Sequence, residues 1–273
     1  LWDKGPEGMD PESPPSVSVQ NEYVKAASST GGRFILGTTG GDPNSSNDNN
    51  RRLLFGYADN VGSSFNTARI INGSAVADYR LGNTTWQSGR APIAAPTASS
   101  GRIITVWQLD GVRIEERLYF ANNSDTGRPD TMAIEYELRN DNTSARSIGL
   151  RMMLDVMVGG NDGAPYFIEG AGRVTQQAQW QGANVPDFWV SYESPTFAAD
   201  SLKGRGELTS AAVTRPDRFI VGDWPQANQT TWDYTVVPSD AVTNDSAILL
   251  YYNPIALAPG QSRTLRTNYG IAR

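Results

Sequence analysis

The chain has 273 residues, 38% of them hydrophobic and 19% charged, which is the composition of a folded domain, and no apolar run approaches the ~18 residues of a membrane span. A net charge of −6 without any Lys/Arg run argues against nucleic acid or anionic lipid as partners. The absence of Cys excludes disulfides, thiolate nucleophiles and zinc–thiolate sites, and the absence of His excludes a Ser-His-Asp triad and His-ligated metals.

Residues 1–16 (LWDKGPEGMDPESPPS) are rich in Pro, Gly and acid and cannot build a core of their own. Their tip is apolar, at Leu1 and Trp2. Val17, Val19, Tyr23 and Val24 then alternate as an extended segment. Residues 1–30 therefore read as an N-terminal arm ahead of one domain over 31–273. A start at Leu1 rather than Met reads as a processed, secreted product, which points to an extracellular or cell-surface location.

From residue 31 onward the pattern is strand and turn. RFILG at 33–37 is a short apolar run. The runs 102–109 and 112–120 flank Asp110-Gly111, a strong two-residue hairpin signal. Over 131–139, Met132, Ile134, Tyr136 and Leu138 share one face, while Glu135, Glu137 and Arg139 share the other, as in a half-buried antiparallel strand. The run 147–158 is apolar on one face and mixed on the second, which predicts cover by a second layer or a partner. Further strands are predicted at 189–192, 218–221, 231–237, 246–252 and 263–271. Only 201–212 could hold a turn or two of helix. The fold class is all-β: a large antiparallel β-sandwich with an extended N-terminal arm.

Three segments carry a resemblance: GRFILGTTGGDPN at 32–44, RMMLDVMVGGNDGAPYFIEG at 151–170 and NPIALAPGQSRTLRTNYGIA at 253–272. They resemble uncharacterised bacterial secreted proteins of β-sandwich type, and more distantly the β-supersandwich domains attached to carbohydrate-active enzymes. The first resemblance implies fold and compartment, and no activity.

Two loops have oxygen donors suited to calcium. The loop 40–50 carries Asp42, Asn44 and Asp48. The loop 159–165 adds Asn161 and Asp162 directly after Asp155. Both also suit plain turns, because Asn, Asp and Gly favour turn conformations. Glu115 and Glu116 are adjacent in a strand, so they point to opposite faces and cannot form a catalytic pair. Trp180, Trp189, Trp224 and Trp232 suit a core or a sugar-stacking platform. Seven N-x-Ser/Thr sequons, among them those at Asn72 and Asn142, fall mostly on turns.

The expected function is a secreted structural subunit, not an enzyme, that assembles with copies of itself. Leu1, Trp2, Val17, Val19 and Tyr23 dock the arm onto a neighbouring sheet edge, giving a filament, tube or surface layer. The alternative is a carbohydrate-binding or carbohydrate-processing β-supersandwich domain, with glycans as partners. An arm packed on its own domain favours the alternative.

Overall fold

The computed structural model describes residues 14–83 and 88–273. Among these residues strands account for 53% and helix for 4%, and every named strand pair is antiparallel, as the turn-separated pattern predicts. The chain begins with β1 (Pro15–Gln20), β2 (Val24–Ser29) and β3 (Phe34–Thr38), a small sheet in that order. Hairpins follow: β4 (Phe65–Asn72) with β5 (Ala75–Leu81), then β6 (Ala94–Ser99), β7 (Arg102–Leu109), β8 (Val112–Ala121) and β9 (Thr131–Asn140). β10 (Arg146–Asp155), β11 (Tyr166–Ile168), β12 (Gly172–Val174), β13 (Ala178–Gln181), β14 (Phe188–Tyr192), β15 (Lys203–Glu207) and β16 (Arg218–Asp223) come next. The short helix α1 (Trp224–Gln229) precedes β17 (Ser246–Leu257) and β18 (Ser262–Ile271).

Two large sheets form the sandwich. One has six strands in the order β13-β16-β17-β10-β4-β5. The other has nine, in the order β12-β11-β14-β15-β18-β9-β8-β7-β6. The β7–β8 turn is the predicted one. Asp110 and Gly111 have φ of 47° and 71°, the left-handed pair whose twist matches that of the strands.

The core lies between the sheets. Ile114, Leu118, Ile134 and Leu138 of the nine-stranded sheet meet Ile148, Leu150, Met152, Ile248 and Leu250 of the six-stranded one. The second face of β10 and β17 is also buried. Met153, Leu249 and Tyr251 pack under Trp224, Ala227, Trp232 and Tyr234, so the expected second layer comes from the chain itself.

Two local expectations are corrected. Residues 201–212 hold β15 instead of helical turns. There Gly204 and Gly206 pair with Ser191 and Trp189, and a side chain at either glycine would collide with Tyr269 or the Trp189 indole. Residues 231–237 are not a strand but an irregular stretch, and Trp232 and Tyr234 within it cover the second core.

The described part of the arm packs on its own domain. β1 pairs with β2 through Val17↔Ser28 and Val19↔Ala26, and Val17, Val19 and Tyr23 lie half-buried against the main core. Leu1 and Trp2 lie outside the described residues.

Candidate functional site

Strand alternation sends Ile114, Glu116 and Leu118 of β8 inward and Arg113, Glu115, Arg117 and Tyr119 outward. On β9, Glu135, Glu137 and Arg139 face outward beside them, with Arg117 opposite Glu135 and Glu115 opposite Glu137. Three carboxylates converge on one guanidinium. Arg117 Nε donates to Glu115 Oε1 at 2.7 Å, Nη1 to Glu135 Oε1 at 3.1 Å and Nη2 to Glu137 Oε2 at 2.7 Å. Arg113 holds the second oxygen of Glu115 at 2.6 Å. The four side chains of this node are only 14–28% exposed, although Gln108, Arg139, Ser262 and Thr264 at its margins are open to solvent.

Burial alone would lower the Arg117 pKa, but the hydrogen bonds it donates to Glu137, Glu135 and Glu115 outweigh it and raise it. Burial pushes Glu115 up, and Arg113 and Arg117 pull it down further, so its carboxyl sits below its ordinary range. Tyr119 donates to Glu135 Oε2 at 2.9 Å. Burial first, and this hydrogen bond second, raise its pKa. Arg102 and Arg266 lie against the Tyr119 ring, at 4.8 and 5.3 Å from its centre. The face thus combines an aromatic ring with preorganised donors and acceptors.

Glu116, on the opposite side of β8, is enclosed in the core and accepts a hydrogen bond from the Tyr136 hydroxyl, which in turn accepts one from Asn66. Burial pushes its pKa up to about 8, against the opposing pull of Tyr136. The adjacent glutamates do point to opposite faces, as their spacing predicts.

Of the predicted metal-ligating residues, Asp155 and Asp162 come together. Asp245 joins them, with one carboxylate oxygen from each residue within 4.8 Å of the others. Such an all-oxygen set matches the donors that calcium takes. Asp245 lies more than 80 residues away in sequence, so no local spacing could reveal it. The Asn161 amide nitrogen donates to the Glu193 carbonyl at 2.8 Å. Asp42, Asn44 and Asp48 stand elsewhere and close their own loop. Asp42 Oδ1 accepts from the Asn44 backbone at 3.0 Å and pairs with Arg128 at 3.2 Å, while Asp48 Oδ2 accepts from the Asp42 backbone at 2.6 Å. The Asn44 hydrogen bond is the first cause holding Asp42 low, and burial pushes Asp48 up.

Trp189, Trp224 and Trp232 are buried, Trp189 stacked on Tyr269 at 4.9 Å, so none of the three is a surface platform. The outward face of β8 and β9 is a candidate that the sequence does not single out. Its sequence signal is the alternation Arg113-x-Glu115-x-Arg117 followed by Glu135-x-Glu137-x-Arg139, which looks the same as ordinary solvent-facing charge.

No family model and no curated protein matches the sequence. Solved structures do match in fold. A galactose mutarotase-like protein from Lactobacillus casei superposes with a TM-score of 0.55 at 8% identity, covering 93% of this chain and 99% of that one. A galactose mutarotase related enzyme from Lactobacillus acidophilus gives 0.49 at 9% identity, covering 94% and 97%. A polysaccharide lyase gives 0.45 at 14% identity over 95% of this chain, which spans only 32% of that protein. The fold shared with the Lactobacillus casei protein is in line with the more distant of the two resemblances. The expectation that the chain is not an enzyme is corrected here, because the fold it adopts is shared with a galactose mutarotase-like protein.

Proposed function

We propose that the chain is a carbohydrate-binding or carbohydrate-processing β-supersandwich domain that engages sugar on the outer face of β8, β9 and β18. The observation that carries this reading is the node of Arg117 with Glu115, Glu135 and Glu137, half-buried beside Tyr119 with exposed residues at its margins. A sugar ring presents hydroxyls around its edge and an apolar face. Paired carboxylates accept from vicinal hydroxyls, the guanidinium donates to ring and hydroxyl oxygens, and an aromatic ring covers the apolar face. The side chains are already fixed by one another, so binding sugar costs little ordering. Carbohydrate-related folds among the structural neighbours support the same reading. Arm exchange is less favoured, because β1 is paired and packed within its own chain.

The test is calorimetric titration against a panel of neutral and acidic oligosaccharides. One or more should bind, and Glu137→Gln should weaken binding about tenfold or more, as expected for losing a charge-assisted hydrogen bond, with the melting temperature unchanged. A panel without any binder, or binding insensitive to Glu137→Gln, would overturn the proposal.

A further inference from the structure

The outward positions of β7, β8, β9 and β18 carry Arg102, Arg113, Arg117, Arg139 and Arg266 against Glu115, Glu135 and Glu137. This is a surplus of positive charge on a chain whose net charge is −6. The surplus is not spread evenly. Arg113 and Arg117 are tied to the glutamates, and Arg139 pairs with Asp141 at 2.9 Å. Arg102 and Arg266 close no ion pair among the described residues, although Arg266 stands cross-strand from Glu135, and they are the two that lie against Tyr119. Arg266 is steadied by its Nε, which donates to Asn268 Oδ1 at 3.0 Å, and among the described residues its terminal amino groups make no hydrogen bond.

The register explains the gathering. Tyr119 stands opposite Arg102 on one side and opposite Ala133 on the other, and Ala133 stands opposite Asn268. Alanine leaves the space over β9 open. The Tyr119 ring reaches across it to Glu135, and Arg266 approaches from β18. A guanidinium resting on an aromatic ring loses little freedom when it then binds an anion, and its donors stay in plane for a carboxylate or sulfate.

We propose that Arg102 and Arg266, set around Tyr119, form a subsite for the anionic group of an acidic sugar, a carboxylate or a sulfate ester. This rests on the reading of the same face as a carbohydrate site and adds the charge class of the ligand. The neighbouring glutamates accept from hydroxyls of the ring, while the two unpaired guanidiniums take the charge. A neutral glycan leaves them unpaired, and so binds more weakly.

The test titrates the full chain with oligogalacturonate, with its methyl ester, with a sulfated galactan and with a neutral galactan, at low and at high salt. The acid or the sulfated glycan should bind about tenfold or more tighter than the ester and the neutral galactan, and added salt should erode the difference. The double variant Arg102→Gln, Arg266→Gln should abolish the preference and leave circular dichroism and melting unchanged. The relative response of carboxylate and sulfate separates the two anion sources. Binding of the acid no tighter than its ester together with binding of the sulfated galactan no tighter than the neutral one, or a preference that survives the double variant, overturns the subsite and leaves the carbohydrate reading standing. Absence of binding by every glycan overturns both.

Discussion

Arginine carries nearly all the positive charge of this chain, and at the residue scale that choice has structural work to do. Arg33 and Arg151 are 1% and 0% exposed, where the five donors of a guanidinium span carbonyls spread more widely than the three donors of an ammonium can reach. The buried acid is the complementary case. Glu116 is held neutral by burial, with its pKa at about 8 against an ordinary 4.5. A carboxyl whose pKa is raised by folding stabilises fully below its unfolded value, and that contribution is lost as pH rises through the folded value. Stability should therefore fall between about pH 4.5 and 8, by a few kcal/mol on the linkage relation, and level off above. Glu116→Gln keeps a polar partner for Tyr136 and removes the titration. Urea unfolding at pH 5 and pH 8 should show a loss for the wild type and a much smaller one for the variant; equal losses would refute the assignment.

Elements were legible where the code is local. The β7–β8 hairpin follows from Asp110-Gly111, and the inward set Met132, Ile134, Tyr136 and Leu138 from alternation alone. The helix was not legible, because six residues are too few to show a period. Its signal is the cap: Asp223 accepts from the Gln226 backbone at 3.1 Å, with Pro225 in the first turn. The same segment was misread at 231–237, where apolar residues cover a sheet face without joining a sheet. Arg151 fastens this cover to β10. It donates to the carbonyls of Ala227 at 2.8 Å, Thr230 at 3.0 Å and Trp232 at 3.3 Å. Arg151→Met should strand these buried carbonyls and cost about 3–5 kcal/mol, the scale for breaking a buried charged network. Denaturant unfolding measures it, and a loss below about 1 kcal/mol would show the cover to be held by its apolar contacts alone.

Long-range order is what the sequence withheld at the scale of the whole molecule. No pattern places β18 between β15 and β9, and the candidate face depends on that neighbour for Arg266. The meeting of Asp245 with Asp155 and Asp162 likewise depends on where β10 ends and β17 begins.

In the N-terminal segment the alternation read from the sequence is present, and the strand it forms pairs within the chain. Val17 and Val19 alternate as a strand should, yet the edge they complete belongs to β2 of the same chain. Removing residues 1–20 would uncover the hydrogen-bonding groups of β2 along Lys25–Ser29 and the core side chains beneath Val17 and Val19. An open edge of this kind pairs with whatever strand it meets. The truncated chain should melt at a lower temperature than one lacking only residues 1–13, and it should self-associate in size-exclusion chromatography. A synthetic peptide covering residues 14–21, added in trans, should reverse both effects by filling the edge. The shorter deletion keeps every described pairing of β1 and is the control for chain length. If both truncations melt alike and remain equally dispersed, β1 contributes nothing to closing the domain.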